Sequence, residues 1–146
     1  MSVIRVDFYL LNTSEPQEKW VFACRLLEKA YLRGHQVFVY CNDQQDAEKL
    51  DELLWTFKED SFIPHHLQGE GPEPPPVVQI GYGPEPRGFR EILINLANTI
   101  PPFYSRFKRV IEIVANEETA KQLSRLHYRE YRANACELQT HTIDTA

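Results

Sequence analysis

Residues 36–41 read QVFVYC, a short apolar run that predicts a buried β-strand. The residues before it have apolar side chains at helical spacing, which predicts a helix from Gln17 to Arg33 that ends at Gly34. The residues after it predict a second helix, capped by Asn42 or Asp43 and running to about Phe57. The apolar run therefore lies between two amphipathic helices.

An apolar segment from Val3 to Leu11 precedes the first helix and predicts the first strand. Strand, helix, strand and helix with short connections form a βαβα unit, whose right-handed crossover produces a parallel sheet. Further strands are predicted at residues 77–82, 91–96 and 108–114, a short helical turn at 101–107, and a last helix that starts at Asn116 or Thr119 and ends near Ala133. We expect one three-layer α/β/α domain over residues 1–133, with a mostly parallel, Rossmann-like sheet of about five strands. Residues 134–146 are predicted to be an irregular or extended tail on the same domain.

The composition indicates a globular protein, with 42% apolar and 25% charged residues in 146 positions. No apolar run is long enough to span a membrane, and Arg5 and Asp7 interrupt any signal-peptide core. Three cysteines without a paired spacing are typical of a cytoplasmic protein. The net charge of −5 is unevenly distributed, with −5 in residues 42–60 and +3 in residues 104–132.

Catalytic and cofactor motifs are missing from the sequence. The first strand-to-helix turn, residues 11–16, contains no glycine, and there is no phosphate-binding loop. His65 and His66 are adjacent, so their side chains point apart and are not expected to bind one metal ion. Cys41 has no base at a diagnostic spacing. We therefore expect no enzyme activity, no cofactor and no metal.

The last predicted helix carries a basic face. Lys121, Arg125, Tyr128 and Arg132 are spaced four, three and four residues apart, and Arg129 lies beside them. With an apolar strand end nearby, this face suits an acidic peptide that ends in a bulky residue. A solvated helix face paired with glutamates and a phosphate-binding face are the alternatives.

The stretch from Trp55 to Pro72 is rich in large apolar side chains for a loop. Trp55, Phe57 and Phe62 either cap one end of the core or form an exposed aromatic patch for a protein partner. Pro64 would keep such a loop rigid before binding. The glycines at 69 and 71 are expected to form turns, followed by a stiff proline-rich spacer at 73–76.

These motifs together resemble the chi subunit family of bacterial DNA polymerase III. The similarity covers essentially the whole chain and is carried by residues 8–11, 50–55, 61–65, 69–72 and 123–132. The resemblance implies a non-catalytic accessory subunit of the clamp loader with two protein partners. One is the psi subunit. The other is the acidic C-terminal tail of single-stranded DNA-binding protein, which ends in proline and phenylalanine.

The resemblance also assigns residues to the two partners. The psi-facing surface matches Trp55, Phe62, Ile63 and Pro64, and a repair helicase is expected to compete for it in some bacteria. The tail-binding site matches Val114, Lys121, Arg125, Tyr128, Arg129 and Arg132. Nucleic acid would be contacted only indirectly, and no membrane would be involved. The alternatives are a nucleotide-binding α/β enzyme without recognisable motifs and a direct binder of single-stranded DNA.

Overall fold

The computed structural model describes residues 3–70 and 76–144. Within these residues the chain forms seven strands, three α-helices and one short 3₁₀ helix. In chain order these are β1 (Arg5–Leu11), α1 (Pro16–Leu32), β2 (Val37–Tyr40), α2 (Gln44–Thr56), β3 (His65–Leu67), β4 (Val78–Gly81), β5 (Ile92–Asn95), the 3₁₀ helix Tyr104–Arg106, β6 (Arg109–Val114), α3 (Glu118–Ala133) and β7 (Glu137–Ile143). The second half of the predicted turn at residues 69–72 and most of the predicted spacer lie outside the described residues.

All strands join one sheet in the order β3-β4-β2-β5-β6-β1-β7, and every neighbouring pair is parallel. One core lies between the sheet and helices α1 and α2, and includes Leu27, Leu50 and Ile111. A second core lies on the other face, where Tyr131 of α3 packs among side chains such as Phe8 and Val110. The two cores confirm the predicted three-layer α/β fold, while the strand count of about five was too low.

Both strands missing from the prediction lie at the edges of the sheet. β3 is only three residues long. β7 reads ELQTHTI and pairs with β1 along its whole length, so the tail is extended rather than irregular. An edge strand needs no continuous apolar run, because it has a neighbouring strand on one edge only and some of its side chains remain in contact with water. The polar composition of β7 therefore gave no strand signal.

A buried carboxylate fastens β7 to the sheet. Asp7 of β1 is fully buried, and it accepts hydrogen bonds from Arg109 of β6 at 2.8 Å and from His141 of β7 at 2.8 Å. Arg5 also contacts it, and donates to Gln139 of β7 at 2.9 Å. Burial alone would raise the pKa of Asp7, but the hydrogen bonds from His141, Arg109 and Arg5 outweigh it and hold that pKa below its usual value. Three strands are thereby joined at one ionised group.

Candidate protein-docking sites

A groove runs between α3 and the strands β1 and β7. A cavity of about 380 Å³ opens between the helix and both strands, and a second of about 220 Å³ adjoins it toward the end of β6. The two cavities share Leu10, Ser124 and Arg125, so we treat them as one basic groove. Its lining includes all six residues predicted for tail binding: Val114, Lys121, Arg125, Tyr128, Arg129 and Arg132.

The basic groove combines an apolar floor with a cationic rim. Phe8 and Leu10 of β1 line the floor, and the rings of Phe8 and Tyr128 lie 5.6 Å apart. Val114 is almost fully buried, so it contributes floor rather than rim. The rim consists of the exposed side chains of Lys121, Arg125, Arg129 and Arg132. This combination can hold an apolar side chain and carboxylates at the same time.

Pairing with neighbouring glutamates accounts for little of this rim. Arg125 lies 3.7 Å from Glu118, and both side chains are well exposed. Glu117 instead caps α3 by accepting hydrogen bonds from two backbone amides, and the helix begins at Glu118, between the two predicted starts at Asn116 and Thr119. In residues 3–70 and 76–144, no ion pair involves the other three cations of the rim. Of the four cations, only Arg125 thus pairs with a neighbouring glutamate in the described residues.

A buried polar network lies between α3 and the sheet, on the side of β5 and β6, and is centred on Glu112 of β6. Its carboxylate accepts hydrogen bonds from the Tyr131 hydroxyl at 2.6 Å and from Asn95 Nδ2 at 2.9 Å, and it lies 3.1 Å from Nδ1 of His127. Burial alone would lower the pKa of His127, but Glu112 and the carbonyl oxygen of Asn98 outweigh it and raise that pKa above its usual value. This network was not predicted from the sequence. Its one signal was an isolated acid within the apolar strand at residues 109–114.

Near the opposite edge of the sheet, Trp55 and Phe62 form an exposed pair. Trp55 at the end of α2 is 50% exposed, Phe62 is 65% exposed, and their ring centroids lie 5.5 Å apart. Pro64 is half-buried beside them in the chain. Ile63 is 1% exposed and packs in the core, so its predicted direct contact with a partner does not fit this structure. Trp55, Phe62 and Pro64 are called the aromatic surface below.

The loop that carries Phe62 is fixed by a histidine and an ion pair. The buried ring of His65 places Nδ1 2.6 Å from the carbonyl oxygen of Ile63, and Nε2 3.2 Å from both the carbonyl and a carboxylate oxygen of Asp51. The Trp55 ring packs against the His65 ring, at a centroid distance of 4.5 Å. Lys58 pairs with Glu28 of α1 at 3.4 Å. The ring nitrogens of His65 are thus used within the fold.

A third cavity, of about 390 Å³, lies at the carboxyl ends of β5 and β6, where a parallel sheet commonly binds small ligands. Lys19 and His127 line it, but so do the acidic side chains of Asp46, Glu112 and Glu117. This charge balance opposes a phosphate group. Among the described residues, no helix is both long and apolar enough to cross a membrane, and no group of three or more histidine, cysteine or acidic side chains could hold a metal ion.

The two surfaces lie far apart on the sheet. The aromatic surface adjoins β3, and the basic groove adjoins β7, at opposite ends of the strand order. Six strand spacings of about 4.8 Å separate these edges, or roughly 29 Å. Two partners could therefore occupy the surfaces together.

The fold and these surfaces define a Rossmann-like α/β domain with two separate candidate docking surfaces. Comparison with known proteins identifies the family. The DNA polymerase III chi subunit (HolC) family matches residues 3–139, and the chain belongs to this family. It is 40% identical to DNA polymerase III subunit chi of Pseudomonas aeruginosa, over 95% of this chain and 96% of that one. It is 36% identical to the Escherichia coli subunit, over 82% of each chain, and 29% identical to that of Haemophilus influenzae, over 94% and 96%.

A solved structure supports the fold alone. The structural resemblance is to T4 UvsW, with a TM-score of 0.64, 8% sequence identity and coverage of 97% of this chain but 42% of that one. Family membership makes the chain an accessory subunit of DNA polymerase III in bacterial DNA replication, and not a catalytic one.

Proposed function

We propose that the chain links the psi subunit of the clamp loader to the acidic C-terminal tail of single-stranded DNA-binding protein, in the cytoplasmic replisome. The observation that carries this proposal is that all six residues expected to bind the tail line one groove, well away from the aromatic surface. The chain needs no catalytic group or cofactor for this role. It contacts DNA only through the protein that coats it.

The basic groove matches the chemistry of such a tail. The carboxylates can pair with Arg125, Arg129 and Arg132, because a guanidinium group can bind a carboxylate through two parallel hydrogen bonds. The terminal phenylalanine can pack against Phe8 and Tyr128, where an aromatic contact already exists. We expect micromolar affinity, about −8 kcal/mol.

The aromatic surface suits the psi subunit. Trp55 and Phe62 keep half or more of their surface in water, while the loop below them is held in place by His65. Exposed aromatic side chains on a rigid support are typical interface anchors, because little ordering is required on binding. A repair helicase would compete with psi for this same surface.

A peptide titration tests the basic groove. Arg125→Ala should weaken binding of an acidic peptide that ends in Pro-Phe by about 10- to 100-fold, the loss expected for a charged hydrogen-bonding partner worth 1.5–3 kcal/mol. Arg25→Ala removes an exposed arginine from α1 and serves as the matched control. Equal affinities for the Arg125 variant and the parent would disprove the groove assignment.

A second titration separates the two surfaces. Phe62→Ala and Trp55→Ala should each weaken psi binding and leave peptide affinity unchanged, since the two sites lie at opposite edges of the sheet. Arg125→Ala should show the reverse pattern. Loss of both partners in any one of these variants, with the fold intact, would contradict two independent surfaces.

Direct binding of single-stranded DNA is the second candidate, favoured by the four exposed cations on the groove rim. An oligonucleotide titration without single-stranded DNA-binding protein distinguishes it. The linking function predicts no binding until the coat protein is added. Tight binding to bare oligonucleotide, abolished by Arg125→Ala, would favour the second candidate.

A further inference from the structure

The ring of His127 is surrounded by hydrogen-bond acceptors. Nδ1 lies 3.1 Å from a carboxylate oxygen of Glu112, and Nε2 lies 3.0 Å from the carbonyl oxygen of Asn98. A neutral imidazole carries one N–H group and can donate to only one of these acceptors, whereas an imidazolium ion donates to both. The ring can therefore donate to both acceptors only when it is protonated, in a residue that is 6% exposed.

This side chain connects the basic groove to the sheet. His127 lies on α3 between Arg125 and Arg129, next to Tyr128. Its partner Glu112 lies on β6, two residues before Val114 of the groove floor, and Asn98 follows β5. The two hydrogen bonds of the ring thus tie the helix that carries the groove rim to β6 and to the loop that follows β5.

The charged and titratable groups around His127 come from several elements. The carboxylate of Glu112, on β6, faces the His127 ring. The ammonium group of Lys19, on α1, lines the cavity at the carboxyl ends of β5 and β6, which His127 also lines. On α3 itself, Glu130 adds a favourable charge and Tyr131 donates to the same Glu112 carboxylate. Asp46 of α2 and Glu117 before α3 also line the cavity.

We infer that His127 is a positioning residue for the basic groove: when protonated it holds α3 in the binding geometry, and acidic peptides bind more weakly once it loses its proton. The inference rests on the tail-binding function proposed above. Neutral His127 loses one of its two hydrogen bonds, and the carboxylate of Glu112 loses its charged partner. The helix that carries Arg125 and Tyr128 is then held less firmly against β5 and β6.

The sign of the effect follows from the raised pKa of His127. Its contribution to stability is complete below the unfolded-state value of about 6.5, and it is lost as the pH rises through the higher folded-state value. The test is therefore made at one pH below the unfolded-state value for histidine and at one well above it.

The first test measures peptide affinity at about pH 6 and about pH 9. The parent should bind about fivefold more weakly at the higher pH, at the lower end of typical coupling between sites. His127→Gln keeps one donor but cannot change charge, so its affinity should not depend on pH. His35→Gln, which removes a histidine that pairs with Glu91 and does not line the groove, should keep the parent's pH dependence. A pH-independent parent, or the same slope in His127→Gln, would overturn the inference.

The second test uses the parent chain without peptide, so it does not depend on whether a variant folds or a peptide binds. Long-range ¹H–¹⁵N spectra report the protonation of the His127 ring, and the Tyr128 ring and Arg125 side-chain signals report the groove. Groove signals that follow the His127 titration would support the inference, and unchanged signals would refute it. Absence of peptide binding at every pH would refute the tail-binding function, while these spectra still decide the role of His127.

Discussion

The aromatic surface and the basic groove differ in what holds them in place. The loop of the aromatic surface is held by two residues. Ile63 packs in the core, and the ring of His65 contacts backbone carbonyl oxygens and Asp51. The basic groove stands on a helix whose support is a network of buried side chains around Glu112. In both places a buried histidine has hydrogen-bond acceptors at both ring nitrogens.

Because the two surfaces are held in place differently, different kinds of mutation should damage them. The aromatic surface depends on packing, so it should be damaged by loss of volume. The basic groove depends on a buried charge, so it should be damaged by loss of a single ionised partner. Each of the following predictions alters one kind of support and compares the two surfaces.

The largest effect is expected at Glu112. Glu112→Ala removes the charged partner of His127 and the acceptor of the Tyr131 hydroxyl, which should lower the free energy of unfolding by about 3–5 kcal/mol. Urea denaturation measures the loss. At temperatures where the variant stays folded, peptide binding should fall and psi binding should persist.

Glu48→Ala provides the control for Glu112→Ala, because Glu48 is an exposed acid on α2. Its free energy of unfolding should stay within about 0.5 kcal/mol of the parent. A similarly small change in Glu112→Ala would show that the buried network does not support the groove.

The next largest effect is expected at Ile63, which is compared with its neighbour Phe62 of the aromatic surface. Ile63→Ala should lower the free energy of unfolding by about 2–5 kcal/mol, because it opens a cavity in the core. Phe62→Ala should change it by no more than about 0.5 kcal/mol, since Phe62 is 65% exposed, yet it should weaken psi binding. Thermal denaturation together with a psi titration measures both. Equal destabilisation by the two changes would mean that Phe62 belongs to the core.

The sequence predicted the groove better than its support. Helical spacing alone placed Lys121, Arg125, Tyr128 and Arg132 on one face, because a single regular helix fixes their relative positions. The network around Glu112 joins β5, β6 and α3, and no local pattern reports which buried groups meet across three elements. The isolated Glu112 in an apolar strand was visible, but its partners were not.

The same reasoning explains why the sheet was predicted but its two edge strands and the burial of Ile63 were not. The parallel sheet followed from apolar runs such as residues 36–41, which became β2, and from helical spacing between the runs. The edge strands β3 and β7 lack such runs, since their pairing comes from backbone hydrogen bonds to β4 and β1. Ile63 looked like its neighbours Phe62 and Pro64 in sequence, because the direction of a loop side chain is set by tertiary contacts.

The smallest effect is the response of the two surfaces to salt. Between 0.1 M and 1 M salt the screening length falls from about 10 Å to about 3 Å. Peptide binding at the basic groove should weaken about tenfold over this range, because the exposed cations of its rim act through water. Psi binding at the aromatic surface should change much less, since burial of apolar area is not screened.

Arg132→Ala should reduce the salt dependence of peptide binding, and Arg25→Ala should leave it unchanged. Isothermal titrations at the two salt concentrations measure all four responses. Equal salt dependence for peptide and psi would remove the electrostatic distinction between the surfaces, because it would mean that charge contributes as much to the aromatic surface as to the groove.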